Sequence, residues 1–319
     1  KTLFTIHNIQ YQGQYGKEIL EDVFGIPNYE SSLLEFNRDV NLMKGAIECA
    51  NWVSTVSPTY AQEILDPWFA HKLDPILRER SWKLSGILNG IDTENYNPAT
   101  DPNIYAHYAR EDRANKAVNK QKLQERLCIE QNPDLPLVGM VTRLVSHKGL
   151  DLVCEVLHDM MELPLQMVIL GKGDRKYEEF FQWAAQQYSG RMAVRLDYNE
   201  ELSMAIYAGA DLFLMPSRSE PCGLSQMIAM RYGAVPIVRR TGGLADTVKS
   251  CQVGQEDGTG YLFESYDAGA MLDVIGQATG LYRGDRAGFD TVRRRGMTAD
   301  FSWARSAGDY RRIYENLLG

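Results

Sequence analysis

From about residue 136 onward, short apolar runs alternate with stretches in which apolar residues recur every three or four positions. The runs are nearly continuous in hydrophobic residues, which is typical of strands covered on both faces of a sheet. Their alternation with helices predicts βα units and a parallel, doubly wound sheet. The runs are, in chain order, LPLVGMVT, LQMVILG, MAVRL, ADLFLMP and AVPIV.

The helices between these strands are predicted from the same pattern. One helix carries its apolar residues on a single face, at Leu150, Val153, Leu157 and Met161. A second helix is expected from Gly223 to Tyr232, where Gly233 ends it, because glycine readily adopts the left-handed conformation that follows a helix.

Residues 1–95 show a second, shorter α/β pattern. Strands are predicted at Leu3–Ile6 and Trp52–Val56, and helices around Asp39–Ala50 and after Ser57-Pro58. Turn-forming residues crowd the segment 90–101, GIDTENYNPATD, which predicts a linker.

The last segment predicts an amphipathic helix with an aromatic face that needs a surface to cover. Its apolar residues recur at spacings of four, three, four and three, at Trp303, Ala307, Tyr310, Tyr314 and Leu317. We therefore divide the chain into a first α/β domain over 1–95, a second over 96–302, and a C-terminal helix over 303–319 that packs back on the first domain.

Composition excludes several classes of function. The 319 residues carry 34 Lys and Arg against 42 Asp and Glu, a formal charge of −8, so no nucleic acid is expected as a partner. The five cysteines show no Cys-x-x-Cys spacing, so neither a disulfide framework nor a zinc site is expected, and a reducing cytoplasm fits. No apolar stretch approaches the ~20 residues of a membrane span, so no membrane partner is expected.

In open parallel sheets, ligands bind at the carboxyl ends of the strands. The loop after LPLVGMVT, RLVSHKG, places Arg143 and Lys148 five residues apart between a strand and a helix. Two cations beside the free N–H groups of a helix start suit a diphosphate. The alternative is a helix with exposed basic residues.

Two further loops carry glycines. Gly171-Lys172-Gly173 lacks the third glycine of a dinucleotide fingerprint and predicts only a tight turn. In RRTGGLAD, residues 239–246, Thr241 and the pair Gly242-Gly243 open a helix whose first N–H groups attract an anion. An ordinary strand-to-helix turn would explain the glycines but not the neighbouring threonine and arginines.

The loop SRSEPCGLSQ, residues 217–226, places Glu220 where the strand ADLFLMP ends. Pro221 is expected to begin the following helix, so that the carboxylate of Glu220 faces the positive helix end and stays ionised. Together with N–H groups at Cys222 and Gly223, this acceptor suits a hydroxyl-rich ligand such as a sugar. The alternative is that Glu220 merely caps the helix, and Cys222 is interpreted as a packing residue.

Together the loops indicate a nucleotide sugar, with its diphosphate at Arg143, Lys148 and the glycine pair and its sugar at Glu220. With these residues, the sequence resembles the bacterial glycogen synthases and plant starch synthases, retaining glucosyltransferases of the GT-B fold. The stretches that carry the resemblance are, in family order, FTIHNIQYQG, VSTVSPTYAQEI, GILNGID, GMVTRLVSHKGLDLV, PSRSEPCGLSQMIAMRYG and VRRTGGLADTV.

The resemblance implies a role for each matching residue. Arg143 and Lys148 would bind the diphosphate, Glu220 would lie at the donor glucose, and His7 would reach the glucosyl group, so these four are the expected catalytic residues. The further substrate-binding residues implied are Asn8, Asn89, Cys222, Gly223, Thr241, Gly242, Gly243 and Leu244. No metal and no cofactor is implied.

The expected fold class is α/β of the GT-B type, with two Rossmann-like doubly wound domains. By the resemblance, the first, over 1–95, is the C-terminal part of the acceptor-side (starch synthase catalytic) domain, and the second, over 96–302, is the nucleotide-sugar-binding domain. The family's K-x-G-G-L loop is missing from this sequence, so the first of these domains is expected to be incomplete. The E-x7-E pattern of related retaining transferases is incomplete too, because position 228 is isoleucine, as in bacterial glycogen synthases.

The function implied is transfer of glucose from ADP-glucose to the 4-hydroxyl at the non-reducing end of an α-1,4-glucan, glycogen or starch, with retention of configuration. The expected location is the cytoplasm, or a plastid in a plant. One alternative is a non-catalytic glucan- or nucleotide-binding remnant of such an enzyme. Another is a nicotinamide-dependent enzyme that uses Gly171-Lys172-Gly173, which the absent third glycine disfavours.

Overall fold

A computed structural model of the protein describes residues 1–251 and 257–319, without the side chains of Asn28 and Glu30. The strands are β1 (Leu3–Ile6), β2 (Gln14–Tyr15), β3 (Glu35–Phe36), β4 (Asp39–Asn41), β5 (Trp52–Thr55), β6 (Leu84–Gly86), β7 (Leu137–Val141), β8 (Gln166–Leu170), β9 (Met192–Arg195), β10 (Leu212–Met215), β11 (Val235–Arg239) and β12 (Tyr261–Phe263).

The α-helices are α1 (Glu18–Asp22), α2 (Leu42–Cys49), α3 (Pro58–Glu63), α4 (Asp74–Glu79), α5 (Arg113–Leu127), α6 (Leu150–Glu162), α7 (Arg175–Gln187), α8 (Glu200–Gly209), α9 (Ser225–Arg231), α10 (Gly242–Thr247), α11 (Ala268–Gly284), α12 (Arg286–Thr298) and α13 (Trp303–Leu318). Short 3-10 helices lie at Asn28–Leu33, Ser81–Lys83 and Ser146–Lys148. Among the described residues, every helix is too short or too polar to cross a membrane.

The chain divides into two compact units. Unit 1 consists of Lys1–Asn89 together with Ala304–Gly319, and unit 2 consists of Gly90–Trp303. The sequence analysis placed its boundaries after residues 95 and 302, and the role that it assigns to each domain stays a prediction.

Unit 1 is built on a parallel sheet in the order β1-β5-β6 and a small antiparallel sheet in the order β2-β4-β3. Residues 39–41 were expected to begin a helix, but they pair with β2 and β3 as strand β4. The helix α2 begins only at Leu42, because the side chain of Asn41 accepts a hydrogen bond from the backbone N–H of Lys44 and caps it. The apolar side of α2 then covers the parallel sheet, where Ile47 packs with Ile6 and Val53.

Unit 2 contains one parallel sheet in the order β12-β11-β10-β7-β8-β9. Each of the predicted apolar runs forms one of its strands, so the predicted doubly wound α/β pattern is confirmed. Successive residues of β8 point to opposite faces: Met167 and Ile169 join a core cluster with α6, α7 and α11, whereas Val168 joins a cluster with α5 and α8. Helices therefore cover both faces, which explains why the strands lack polar alternation.

The C-terminal segment forms the predicted helix α13, but the predicted covered face is wrong. Two of its aromatic side chains are open to solvent, with Trp303 48% and Tyr314 51% exposed, whereas Tyr310 is half-buried. The buried positions are Ser306 and Ile313, seven residues apart and thus on one face.

Candidate active site

The site in unit 2 lies at the carboxyl edge of its sheet, where the strand order reverses. From β7 the chain moves outward through β8 and β9, and then returns to the other side of β7 with β10. The loops after β7 and β10 leave the sheet side by side at this reversal, and the crevice outside the strand ends at such a point is the usual ligand site of open α/β sheets.

The loop after β7 lies directly against the loop after β10. The backbone N–H of Arg218 donates to the carbonyl of His147 at 2.9 Å. Gly149 has a φ of +73°, and a Cβ at this position would overlap the carbonyl oxygen of Pro216, so only glycine fits there. This contact fixes the position of the neighbouring Lys148.

Lys148 and Glu220 are joined directly across the crevice. The Nζ atom of Lys148 lies 2.7 Å from Oε2 of Glu220, and the side chains are only 17% and 9% exposed. The hydroxyl of Ser217 donates to the same oxygen at 2.9 Å. In the described part of the chain, Oε1 of Glu220 has no hydrogen-bond donor, so it is available to a ligand.

The prediction that Glu220 lies at the start of a helix is wrong. The helix α9 begins at Ser225, four residues beyond Pro221, and its N-cap residue Leu224 makes no side-chain capping bond. Pro221 therefore does not start the helix, and Glu220 does not cap it. The carboxylate is stabilised instead by the ammonium group of Lys148 and the hydroxyl of Ser217.

The glycine pair packs on the backbone of the Glu220 loop. The helix α10 begins at Gly242, as predicted, with Thr241 as its N-cap residue. A Cβ at Gly242 would overlap the carbonyl of Glu220, and the N–H of Gly243 donates to that carbonyl at 3.1 Å. Leu244 is fully buried behind this contact. The glycines thus bring a third loop against Glu220.

The two arginines before Thr241 have different contacts. Arg239 is buried and its guanidinium donates to the carbonyl oxygens of Ser217 and Arg218, so it holds the loop that carries Glu220. Arg240 is partly exposed and pairs with Glu264 at 2.6 Å. Sequence alone did not distinguish these roles.

A cavity of about 490 Å³ opens beside the crevice. Arg143 and Lys172 line it with exposed cations, and within residues 1–251 and 257–319 neither side chain has an acidic partner. Tyr198, in the loop after β9, is 92% exposed at the rim. Tyr207 lies deeper, where burial raises the pKa of its hydroxyl. The cavity combines aromatic surface with two cations, and the carboxylates of Asp197 and Glu200 also line it.

Several residues of this site were missed by the sequence analysis. Tyr198 follows the predicted strand MAVRL, so the rule that located the other loops would have found it. His147 lies between Arg143 and Lys148, and burial together with these two positive charges lowers the pKa of its imidazole. Gln226 was predicted only as a residue of a helix, and nothing in the sequence indicated that its side chain is fully buried beside Cys222 and Gly223.

The remaining predicted residues lie in unit 1, at the carboxyl edge of its parallel sheet. His7 and Asn8 follow β1, and Asn89 follows β6. His7 is exposed, and Oδ1 of Asn8 accepts from the N–H of Gln10 at 2.9 Å in a tight turn. The structure thus brings Lys148, Glu220 and the glycine pair of unit 2 together and places Arg143 at the cavity, whereas in unit 1 it places His7, Asn8 and Asn89 after strands of one parallel sheet.

Comparison with known proteins shows which family the chain resembles. Residues 1–79 match the family model described as starch synthase catalytic domain, and residues 122–279 match glycosyl transferases group 1. A glycogen synthase of Anoxybacillus flavithermus is 46% identical over all of this chain and 66% of its own length, and one of Bacillus cereus is 45% identical over all of this chain and 67% of its own.

A solved structure is also similar: the catalytic domain of starch synthase IV from Arabidopsis thaliana, bound to ADP and acarbose. It is 37% identical, with a TM-score of 0.93 over 98% of this chain and 66% of that one. The parallel sheets and the crevice at the strand reversal therefore define a Rossmann-like fold of the GT-B class of glycosyltransferases. The chain belongs to the glycogen synthase family, and it spans about two thirds of the length of these relatives.

Proposed function

We propose that this chain transfers glucose from ADP-glucose to the 4-hydroxyl at the non-reducing end of an α-1,4-glucan, with retention of configuration. The observation that carries the proposal is the Lys148–Glu220 pair in the crevice between the β7 and β10 loops. A cation and a carboxylate that are held together beside a cavity can serve the two halves of a nucleotide sugar. The relatives named glycogen synthase support the choice of sugar and acceptor.

The diphosphate would lie between Arg143 and Lys148. Arg143 is exposed at the cavity, and in the described residues no carboxylate neutralises it. Lys148 would contact the phosphate nearest the sugar while it remains close to Glu220. As the bond to the sugar breaks, negative charge grows on the leaving diphosphate, and Arg143 and Lys148 would stabilise that charge, Lys148 from a position already held by Glu220.

The transferred glucose would lie at Glu220. Both protein donors use Oε2 of this carboxylate, so Oε1 can accept a hydrogen bond from a sugar hydroxyl. The backbone N–H of Gly223 has no acceptor among the described residues and can donate to the same sugar. Thr241, Gly242, Gly243 and Leu244 would support this pocket from behind, and Cys222 would pack beneath it.

The nucleotide base would occupy the cavity beside Arg143. Tyr198 offers an exposed aromatic face at its rim, and Tyr207 forms part of its wall. The starch synthase IV structure with ADP and acarbose supports ADP as the nucleotide and a glucan as the acceptor. By the resemblance, His7 and Asn8 of unit 1 would belong to the loop that reaches the glucosyl group, and Asn89 would lie near the same cleft.

Retention is consistent with attack from the face that the leaving group departs, with the leaving phosphate accepting the proton of the acceptor hydroxyl. In this scheme Glu220 orients sugar hydroxyls and does not form a bond to the anomeric carbon. A covalent glycosyl intermediate would instead require Glu220 as nucleophile. The carboxylate already accepts hydrogen bonds from Lys148 and Ser217, which favours the orienting role.

The first experiment combines calorimetric titration with ADP and ADP-glucose and a transfer assay with labelled ADP-glucose and glycogen. We expect both nucleotides to bind, Lys148→Ala to weaken ADP binding, and Glu220→Ala to abolish transfer while ADP binding is kept. Lys249→Ala is the matched control, because it removes an exposed lysine of the same unit that pairs with Asp257. UDP-glucose, tested in parallel, reports the base preference.

The outcomes separate the alternatives. Binding of ADP-glucose without transfer to glycogen would favour the non-catalytic remnant. Stabilisation by NAD but not by ADP would favour a nicotinamide-dependent enzyme, because a ligand raises the melting temperature only of a protein that binds it. If the wild-type chain bound neither ADP nor ADP-glucose, the proposal would be wrong.

A further inference from the structure

The buried amide of Gln226 connects two loops of the site. Its Nε2 atom donates to the carbonyl oxygens of Cys222 and Gly223, at 3.1 and 3.0 Å. It also lies 3.0 Å from the hydroxyl of Thr247, which in turn donates to the carbonyl of Gly243 at 2.6 Å. One side chain thus links the Glu220 loop to the glycine pair.

The orientation of this amide is set by its neighbours. The carbonyl oxygens of Cys222 and Gly223 can only accept hydrogen bonds, so the NH₂ end of Gln226 must face them. Its Oε1 atom is buried and has no donor anywhere in the described chain. This oxygen lies against Gly223, where an added Cβ would come within 2.6 Å of it.

An unsatisfied buried acceptor lowers stability, and an apolar side chain of similar size would avoid that loss. If packing were its only role, Gln226 would therefore contribute less to the free energy of unfolding than methionine or leucine at the same position. What it provides is a pair of hydrogens in one plane that hold two successive carbonyls.

Holding these carbonyls also sets the direction of the N–H groups in the same peptides. A peptide is planar and trans, so its N–H points away from its C=O. With the Cys222 carbonyl held by Gln226, the N–H of Gly223 points to the other side. The Gly223 carbonyl likewise directs the N–H of Leu224, and the φ of +71° at Gly223 allows this sequence of peptide planes.

We propose that Gln226 is a positioning residue for the transferred sugar: it fixes the peptide planes at 222–224 and, through Thr247, their register with Gly243. This inference rests on the proposed function, because it assumes that the Gly223 N–H and Glu220 meet the sugar. Gln226 does not touch the ligand. It acts through the backbone of residues that do.

The test compares the affinities of ADP-glucose and ADP, because ADP lacks the sugar that the turn would bind. In Gln226→Met, we expect ADP to bind within about threefold of wild type and the contribution of glucose to affinity to fall at least tenfold, with an equal loss in kcat where transfer is measured. A merely structural role would change both affinities in parallel. Thr279→Val is the control, because it removes another buried oxygen without a partner in the described residues.

A second pair of variants keeps the test decisive if Gln226→Met fails to fold. Thr247→Val removes the hydroxyl that links Gln226 to Gly243, and Thr247→Ser keeps it. We expect Thr247→Val to lose selectivity for ADP-glucose over ADP and Thr247→Ser to recover it. An unchanged ratio of the two affinities in Gln226→Met, or in Thr247→Val where the former does not fold, would overturn the inference. Failure of the wild type to bind either nucleotide would instead overturn the proposed function.

Discussion

The effects of substituting Lys148 and Glu220 on the free energy of unfolding should be strongly coupled, because the two side chains form a direct ion pair. Lys148→Met removes the ammonium group but keeps most of the side-chain volume, and Glu220→Gln removes the negative charge but keeps the shape. In Lys148→Met, the carboxylate of Glu220 remains buried and keeps, among the described residues, only the hydroxyl of Ser217 as a hydrogen-bond partner. In the double variant no charge is left uncompensated, so it should be more stable than the sum of the single changes predicts.

The magnitude follows from distance and burial. At the 2.7 Å separation of the Lys148 and Glu220 atoms, an effective dielectric constant of about 20 gives an attraction of about 6 kcal/mol. Desolvation of both groups offsets part of this attraction, whereas removal of one partner of a buried pair typically costs about 3–5 kcal/mol. We therefore expect Lys148→Met to lower the free energy of unfolding by about 3 kcal/mol, with a coupling energy of about 2 kcal/mol between the two sites.

The assay is a double-mutant cycle in urea unfolding, followed by circular dichroism at pH 7.5. The four proteins must show the same dependence on urea for their midpoints to be compared. The matched control is a cycle on Lys249 and Asp257, whose atoms are also 2.7 Å apart but whose side chains are 64% and 69% exposed. Solvent screens that pair, so its coupling should vanish within error. If the Lys148–Glu220 cycle also gave no coupling, the pair would not be a fixed part of the site.

Three further predictions test other parts of unit 2. Gly149→Ala should lower the free energy of unfolding by about 1–3 kcal/mol through backbone strain, whereas Gly276→Ala in α11, where a Cβ meets open space, should raise it by about 0.5–1 kcal/mol; thermal unfolding measures both. Tyr198→Ala should weaken ADP binding in calorimetry by about 1–3 kcal/mol if the base stacks on this ring, and Tyr198→Phe should not. Burial lowers the pKa of Lys116 to about 7, so from pH 7 to 9 the unfolded state binds more protons and stability should rise with pH, by up to about 1.4 kcal/mol per unit; urea unfolding of Lys116→Met should lack this slope.

Much of unit 2 could be predicted because its strands carry a strong signal. A strand buried on both faces is apolar at nearly every position, so a short continuous apolar run such as LQMVILG predicts a buried strand. The strand β12, Tyr261–Phe263, was missed because three residues are too short to show any period. The start of α9 was placed too early because Pro221 commonly begins helices, whereas here it lies in the loop that precedes one.

The contacts inside the site could not be predicted from local sequence. Lys148 and Glu220 are separated by 72 positions, and only the strand order places their loops side by side. Gln226 was invisible for another reason: in a helical pattern a glutamine suggests a solvent-exposed face, but here the amide is completely buried. The rule that ligands bind at the carboxyl ends of strands identifies the loops of a site. The hydrogen bonds and ion pairs between those loops can be identified only once the fold is known.

The glycines of the site show how backbone packing and ligand binding depend on each other. Sequence alone interprets Gly242-Gly243 as a loop that admits an anion, and the structure shows that the same two residues admit the carbonyls of Glu220 and Cys222. Gly149 admits the carbonyl of Pro216 in the same way. Each close approach shortens the distance between loops that come from different strands, so that Lys148, Glu220 and the Gly223 N–H can meet one small ligand. A larger residue at any of these positions would move a charged group of the site without touching the ligand, and its effect on affinity should therefore exceed what its own contacts explain.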